Sequence, residues 1–333
     1  MDTKQVYIDE WIKSNLVCPR DHRKLTWVDD KRLVCESGHF YPVIDGVPVM
    51  LVTDVIPTQE RIVNETLSAA SDSTDSQGFS SKDTDNTGVD PYVRKVIGAT
   101  CGVMYNSLIN KLREYPIPNF PLRACVGKNF VLDIGCNWGR WSLSAARAGY
   151  LPIGIDHNLE AVLAARRVAR KMDFAVHYLV ADARFMPFCE RSLDTVFSYS
   201  VMQHFSNADF LVCLKEISRV MKEDGCGLFQ MPNKFGIRNF YQQTKTSFKK
   251  RSEFDVVYRS PRQLNAVFSE YIGRSSLSVD GFFSLNPQPV CKNILPLRYR
   301  LLIGVSEILK RLSKKFRILI YLADSLYVYV RRS

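Results

Sequence analysis

The stretch VLDIGCNWGRW, Val131 to Trp141, decides how this chain folds. An apolar run ends in an acid and a glycine, and a second glycine follows four residues later. This pattern predicts a buried strand that turns sharply into a helix. The first turn of a helix presents unpaired N–H groups and a positive dipole end, and glycine lets a ligand come close to them. The stretch therefore predicts a nucleotide-binding loop.

The composition is that of a soluble globular protein. The chain has 333 residues, of which 46% are hydrophobic and 24% are charged, so two or three domains can form. The N-terminus shows no signal peptide, and no apolar run is long enough to predict a transmembrane segment. Nine cysteines, an odd number, fit reduced thiols better than a disulfide framework. We therefore expect a cytoplasmic protein.

The positive charge is concentrated near the C-terminus. The net charge is +11, and residues 291–333 hold ten Lys or Arg against Glu307 and Asp324. A basic block of this kind attracts nucleic acid, anionic lipid or an acidic substrate. The alternative is a solvated helix face.

The sequence predicts three regions. Residues 1–57 form a compact module rich in Cys, Pro and Gly. Residues 58–90 are predicted to be a flexible linker, because 65–90 nearly lack large apolar side chains. Residues 91–333 form the main domain, in which helical spacing returns over 91–120.

Short apolar runs alternate with helical patterns through the main domain. Predicted strands cover 130–134, 151–155, 175–180, 195–201, 227–231, 276–283 and 325–330, and predicted helices cover 138–148, 159–172, 208–221, 261–271 and 301–312. This alternation is typical of βαβ units, which form a parallel sheet covered on both faces. An alternative for the C-terminus is a helix over 316–330 that lies on a membrane surface.

Two nucleotide-binding fingerprints can be tested against the loop. The dinucleotide fingerprint needs glycine at 135, 137 and 140, but Asn137 and Arg140 stand at two of these positions. The acid-x-Gly-x-Gly-x-Gly loop of class I S-adenosylmethionine methyltransferases fits better, with Asp133, Gly135 and Gly139 in place. Asn137 replaces one glycine, and asparagine tolerates left-handed dihedrals.

Further segments follow in the order of that family. Asp156 in PIGIDHN ends the second predicted strand, where a carboxylate can accept hydrogen bonds from both ribose hydroxyls. Asp182 in LVADARFMPF ends the third, where it can accept from the adenine amino group. SLDTVFSYSVMQHF resembles the fourth strand, and LKEISRVMKEDGCGLFQMPN the next helix and the fifth strand. Either aspartate alone could be a helix cap, but together residues 125–233 resemble class I methyltransferases of the small-molecule type.

The resemblance implies S-adenosyl-L-methionine as cofactor and a Rossmann-like α/β fold. Its sheet has seven strands, and the last one, here 325–330, runs antiparallel between the fifth and the sixth. Residues 91–120 then form a helical lid, and 285–324 a basic helical insertion. The cofactor-binding residues implied are Asp133, Gly135, Cys136, Asn137, Trp138, Gly139, Asp156, His157, Asp182, Ala183 and Ser198.

Methyl transfer needs little further chemistry, because the sulfonium already activates the methyl group. The enzyme has to align the acceptor and remove a proton where needed. His204, just after the fourth strand, is the candidate base, and Tyr199 is a candidate positioning group. The alternative for His204 is a structural hydrogen-bond donor. The stretch SYSV lacks the Pro-Pro-aromatic signature of adenine-N6 methyltransferases, and no Pro-Cys precedes it for attack on a pyrimidine.

The N-terminal module carries two Cys-x3-His pairs. Cys18 with His22 and Cys35 with His39 are separated by a hairpin-length segment. Tetrahedral sets of Cys and His suit Zn²⁺. The module resembles the zinc ribbons found beside some methyltransferases, but Asp21 stands where the first knuckle usually has its second cysteine. The fourth ligand is therefore open, and a ribbon without metal is the alternative.

Three functions fit this sequence. The first is methyl transfer to a small-molecule, glycan or lipid-linked acceptor, with peripheral membrane contact through the basic residues 298–317. The second is an RNA methyltransferase of the ribosomal-RNA type, because the ribbon resembles the N-terminal module of bacterial ribosomal-RNA guanine methyltransferases. The ribbon is not strongly basic, however, and no RNA-stacking motif is evident. The third is a non-catalytic partner that binds the cofactor or another methyltransferase.

Overall fold

The helices and strands follow the predicted alternation. The computed structural model describes residues 3–72, 88–102, 105, 112, 114–245, 256–283 and 295–332. The strands are β1 Leu25–Asp29, β2 Arg32–Cys35, β3 Phe40–Ile44, β4 Val47–Met50, β5 Phe130–Ile134, β6 Leu151–Asp156, β7 His177–Ala181, β8 Leu193–Tyr199, β9 Met221–Pro232, β10 Gly273–Gly281 and β11 Ser325–Arg332. The helices are α1 Thr3–Asn15, α2 Glu60–Asp72, α3 Pro91–Cys101, α4 Arg140–Arg147, α5 Leu159–Lys171, α6 Asn207–Val220, α7 Ile237–Lys245, α8 Pro261–Tyr271, α9 Leu297–Ser313 and α10 Leu319–Leu322.

One sheet joins all of these strands in the order β1-β2-β3-β4-β7-β6-β5-β8-β9-β11-β10. The pairs β7–β6, β6–β5, β5–β8 and β8–β9 are parallel. β11 runs antiparallel to both β9 and β10. The predicted Rossmann-like sheet, with its antiparallel last strand between the fifth and the sixth, is therefore confirmed as β5 to β11.

The N-terminal module extends this sheet, which the sequence did not predict. β4 pairs in parallel with β7, with Val49 opposite Val180, so the sheet has eleven strands instead of seven. Helix α1, also not predicted, stacks Trp11 on Phe130 with ring centroids 5.1 Å apart. The module and the main domain therefore share a hydrophobic core.

The predicted flexible linker is wrong over its first part. Residues 60–72 form helix α2, and its buried side chains Val63, Thr66 and Ala70 recur every three or four positions. The many polar residues of this segment occupy the exposed face of α2 and conceal that stripe. Residues 73–87 lie outside the described residues. The last residue of the predicted linker, Asp90, caps the N-terminus of α3. Its carboxylate accepts a hydrogen bond from Tyr92 N.

The C-terminal strand resolves the ambiguity between a strand and a surface helix. Residues 325–330 lie in β11, where Leu326, Val328 and Val330 are buried. The alternative prediction of a surface helix over 316–330 is therefore wrong. The inward residues alternate with the period of two that a strand requires. Helices α9 and α10 lie between β10 and β11 in the chain. None of the helices in the described part of the chain is long and apolar enough to cross a membrane.

Candidate active site and metal centre

The loop between β5 and α4 turns through left-handed backbone. Gly135, Asn137 and Gly139 have φ values of 71°, 46° and 80°. The Asn137 side chain accepts a 2.9 Å hydrogen bond from Trp138 N, so it stabilises the turn from within. Asparagine is the residue other than glycine that visits this region most readily, which explains why the glycine can be replaced here.

Packing also requires both glycines of the loop. A Cβ atom on Gly135 would lie 2.2 Å from Val201 Cγ2, and one on Gly139 would lie 2.3 Å from the Tyr178 hydroxyl. Real carbon atoms do not approach that closely. The glycines therefore let the loop lie against neighbouring strand ends, whether or not a ligand is bound.

A cavity of about 440 Å³ opens beside this loop, at the carboxyl ends of the parallel strands. Ligands of open α/β sheets bind at this edge. The predicted site residues that line the cavity are Gly135, Cys136, Asn137, Trp138, Asp156, His157, Asp182, Ala183, Tyr199 and His204. We call this the main cavity.

Asp156 lies at the end of β6 with both carboxylate oxygens engaged. Its Oδ2 accepts from Asn137 N at 3.0 Å and its Oδ1 accepts from Asn158 N at 3.0 Å. One carboxylate thus connects the nucleotide loop to the start of α5. Each oxygen keeps a further lone pair, so the group can accept from a bound diol as well.

Asp182 is held by an arginine that the sequence prediction missed. Arg184 donates to it through Nε at 3.1 Å and Nη2 at 2.7 Å, and the same guanidinium reaches Asp209 Oδ1 at 2.7 Å. The carboxylate is therefore fixed at the cavity wall, and part of its capacity to accept hydrogen bonds is committed to Arg184. The signal in the sequence was the close spacing of acid and arginine in "ADAR".

Three predicted cofactor residues do not line the cavity, namely Asp133, Gly139 and Ser198. Asp133 is 2% exposed and accepts from Ser142 Oγ at 2.6 Å. The Ser198 hydroxyl, buried in β8, donates to Ile134 O at 3.2 Å. In this structure Asp133 and Ser198 support the loop from within the fold, since the alternation of a strand places these side chains away from the cavity.

Burial raises the pKa of Asp133 to about 7. Because the folded-state pKa lies above the usual value of 3.8, the native state holds its proton more tightly than the unfolded chain. We expect this residue to contribute stability that is full below pH 4 and is lost as the pH rises to about 7, with a slope of at most about 1.4 kcal/mol per pH unit. Chemical denaturation of wild type and Asp133→Asn from pH 4 to 8 measures this. A variant with the same pH dependence as wild type would contradict it.

Tyr199 sits between the main cavity and a second one. Its hydroxyl donates to Asp280 Oδ2 at 2.9 Å, and its ring stacks on Trp141 with centroids 4.6 Å apart. Burial and the nearby Asp280 raise the pKa of Tyr199 well above its ordinary value. Tyr199 therefore stays protonated and can position a ligand, but it cannot serve as a base near neutral pH.

The second cavity has a volume of about 240 Å³ and shares Ala99, Thr100, Arg140, Tyr199 and Ser200 with the main one. The rest of its wall comes partly from β9, β10 and β11. A chain of hydrogen bonds crosses these strands. Ser200 Oγ donates to Gln230 Oε1 at 2.6 Å, Gln230 Nε2 donates to Ser325 Oγ at 2.5 Å, and Ser325 Oγ donates to Asp280 Oδ2 at 2.6 Å.

Helices α2 and α3 cover the main cavity, and their contribution was missed in part. His157 Nε2 lies 2.9 Å from Gln59 Oε1, and the His157 carbonyl accepts from Thr66 Oγ1 at 3.1 Å. On α3, Thr100 Oγ1 accepts from Trp138 Nε1 at 3.0 Å. The apolar stripe of α2 is the signal that could have revealed this cover.

His204 belongs to a short 3-10 helix, Met202–His204, just after β8. It lines the main cavity, and its Nε2 lies 3.2 Å from Gln203 Nε2. His204 does not line the second cavity described above, so its role as a base stays a prediction.

The N-terminal module brings four donor groups together, and one differs from the predicted set. Cys18, Asp21, Cys35 and His39 offer ligand atoms that all lie within 4.8 Å of one another. His22 is exposed and lies outside this cluster, so Asp21 replaces it as the fourth candidate ligand. The reason is local, since the turn after Cys18 gives His22 a φ of 58° and presents Asp21 instead.

The distances in this cluster suit a tetrahedral ion. His39 Nδ1 lies 3.3 Å from Cys18 Sγ, 3.5 Å from Cys35 Sγ and 3.5 Å from Asp21 Oδ2. A tetrahedron with zinc bonds of about 2.0 to 2.3 Å separates its ligand atoms by about 3.3 to 3.8 Å. The donor set therefore fits Zn²⁺.

Two neighbouring variants test this assignment. Asp21→Ala should lose bound zinc, because a tetrahedral site with three ligands holds the ion less tightly and exposes it to chelators. His22→Ala is the matched control and should retain zinc. Metal content of each purified chain after chelator treatment is the measurement. Retention by Asp21→Ala together with loss from His22→Ala would restore the original assignment.

Comparison with known proteins finds a methyltransferase domain family and named methyltransferases. A family described as "Methyltransferase domain" matches residues 131–225. The ubiquinone biosynthesis O-methyltransferase of Pelagibacter ubique is 28% identical over 129 residues, which cover 38% of this chain and 52% of that protein. A SAM-dependent methyltransferase of known structure from Methanosarcina mazei is 15% identical, with a TM-score of 0.46 over 63% of this chain and 94% of that one.

A separate similarity concerns a short segment. A UPF0434 protein of Teredinibacter turnerae is 51% identical over 49 residues, which cover 14% of this chain and 77% of that protein. In contrast, the chain spans about half the length of the first two curated relatives that it matches over longer segments.

The sheet order is that of the class I S-adenosylmethionine-dependent methyltransferase fold, and the match over residues 131–225 is to a methyltransferase domain within it. Over the 49 matched residues, the chain belongs to the family of UPF0434 proteins.

Proposed function

We propose that the protein transfers a methyl group from S-adenosyl-L-methionine in the main cavity to an acceptor in the second cavity. The observation that carries this proposal is the wall that the two cavities share, which includes Arg140 and Tyr199. A cofactor on one side and an acceptor on the other would meet there, as in-line transfer requires. Relatives named O-methyltransferases support transfer to oxygen.

The residues of the main cavity have distinct roles in this proposal. Asp156 accepts from the ribose hydroxyls, while Asp182 and Ala183 border the adenine. The sulfonium faces the aromatic wall of Trp141 and Tyr199, since ring faces attract cations. Bound S-adenosyl-L-methionine supplies the activated methyl group, and the protein holds both reactants and excludes water.

Isothermal titration calorimetry tests the cofactor. S-adenosylhomocysteine should bind the wild-type chain at one site, and transfer of labelled methyl from S-adenosyl-L-methionine to a fractionated cell extract should follow. Absence of binding would refute the proposal. Tight binding without transfer to any fraction would favour the non-catalytic partner role instead.

His204 is the proposed base for acceptors that lose a proton. His204→Asn should lower the rate of methyl transfer and leave the affinity for S-adenosylhomocysteine unchanged. An unchanged rate would assign His204 a structural role.

We also propose that α9 and α10 bind the surface of an anionic membrane. Leu297, Leu301, Val305, Ile308, Leu312 and Phe316 are exposed and recur every three or four residues, which forms one apolar stripe. Basic side chains flank it at Arg298, Arg300, Lys310, Arg311, Lys314, Lys315 and Arg317, against Glu307 alone. A stripe of leucine and isoleucine between cations suits a bilayer interface better than RNA.

Vesicle sedimentation tests the membrane surface. The protein should bind vesicles that contain phosphatidylglycerol more tightly than vesicles of phosphatidylcholine alone, and salt should weaken this binding. The double variant Leu301→Asp, Ile308→Asp should abolish it. Val212→Asp, at an exposed apolar position of α6, is the matched control. Loss of a dimer in the double variant, without any vesicle binding by wild type, would show that a second copy covers the stripe.

A further inference from the structure

Arg140 is a buried cation in the wall that the two cavities share. It begins α4 and is 6% exposed, and its Nη1 is buried without a hydrogen-bond partner. No ion pair of Arg140 is seen in the described part of the chain. Leaving a buried charge unpaired costs considerable free energy, so such a group points to a missing anion.

The surroundings of Arg140 show where that anion would lie. The side chain lines both cavities, and its guanidinium carbon lies 5.4 Å from the ring centroids of Trp141 and Tyr199. Tyr199 lines both cavities, and Trp141 lines the main one beside it. An anion at Nη1 would therefore lie beside the site of transfer.

The acids of the second cavity are engaged elsewhere. Asp280 Oδ2 accepts from Tyr199 and Ser325. Asp324 Oδ1 accepts from Arg238 N at 2.7 Å and Asn239 N at 3.0 Å, and its Oδ2 accepts from Phe283 N at 2.5 Å. Both carboxylates thus serve the fold, and the guanidinium remains available for a ligand.

We propose that Arg140 binds an oxyanion of the methyl acceptor, so that the acceptor is an acid with a carboxylate or phosphate group beside an aromatic or apolar body. The planar guanidinium matches the geometry of both anions. The apolar body would lie against the Tyr199 ring, which lines the second cavity. This inference rests on the proposed methyl transfer and specifies its substrate class.

Calorimetry on the chain saturated with S-adenosylhomocysteine tests the proposal, with benzoate and phenyl phosphate as probes and benzamide as the uncharged match. At least one anion should bind wild type, and benzamide should bind more weakly. Arg140→Gln should weaken binding of that anion about tenfold or more, as expected for the loss of one charge-assisted pair. Arg140→Lys should recover part of it. Arg147→Gln, at an exposed position of the same helix, is the control.

The same variants separate this proposal from its rivals. If Arg140→Gln weakens S-adenosylhomocysteine but not 5′-methylthioadenosine, which lacks the carboxylate, then Arg140 holds the cofactor and the proposal is overturned. Equal binding of the anions to wild type and Arg140→Gln also overturns it, as does failure of both anions to bind a wild-type chain that binds S-adenosylhomocysteine. A wild-type chain that binds no S-adenosylhomocysteine would instead refute the proposed function itself.

Discussion

Asp156→Ala should greatly weaken binding of the cofactor. Its carboxylate accepts from the backbone N–H groups of Asn137 and Asn158, and we propose that it also accepts from both ribose hydroxyls. Loss of two charge-assisted hydrogen bonds costs about 3 kcal/mol or more, which corresponds to roughly 100-fold weaker binding. Calorimetry with S-adenosylhomocysteine measures this effect.

Two controls make the Asp156 result specific. Asp156→Asn keeps one acceptor oxygen for the loop and should lose less affinity than Asp156→Ala. Glu190→Ala removes an exposed carboxylate outside the lining of the main cavity and should change nothing. If Asp156→Ala folds normally and binds S-adenosylhomocysteine like wild type, the ribose role is refuted.

Gly135→Ala should strongly destabilise the fold. The new methyl group would lie 2.2 Å from Val201 Cγ2, on a backbone with φ of 71° that alanine rarely adopts. Overpacking and left-handed strain together predict a loss of about 3 kcal/mol or more in the free energy of unfolding. Denaturant titration followed by tryptophan fluorescence measures it.

The chain supplies a matched glycine for this test. Gly304 lies inside α9, and a Cβ atom there meets no heavy atom within 4 Å. Gly304→Ala should therefore leave the free energy of unfolding unchanged or raise it by up to about 1 kcal/mol. Adding Val201→Ala to Gly135→Ala should recover part of the lost stability. A Gly135→Ala chain as stable as wild type would show that the loop can move away from Val201.

The cofactor loop and the sheet around it were predictable because their signals are local. Strand β5, the glycines 135 and 139, Asp156 at the end of β6 and Asp182 after β7 all occur in short segments with a fixed period or spacing. The antiparallel position of β11 followed from the family resemblance. The order β9-β11-β10 confirms it.

Other residues could not be assigned from local patterns. His22 and Asp21 are neighbours in the sequence, and only the backbone turn at φ of 58° decides which one joins the cysteines. The polar composition around α2 concealed the stripe of Val63, Thr66 and Ala70, because burial depends on what the helix packs against. Ser198 was predicted to bind the cofactor because of its position near the end of the fourth strand. Its hydroxyl instead donates to Ile134 O, and the residue does not line the main cavity.

The sequence by itself determined the class of the fold, the glycine loop after β5, and Cys18, Cys35 and His39 of the metal-ligand cluster, since each depends on residues close together along the chain. The tertiary structure alone decided that β4 joins the ribbon to the main sheet, that α2 covers the cavity and that Arg140 Nη1 has no hydrogen-bond partner among the described residues. These features arise from contacts between segments far apart in sequence. Whether a side chain is buried, paired or facing a cavity is a property of the packed neighbours, and no local pattern encodes it.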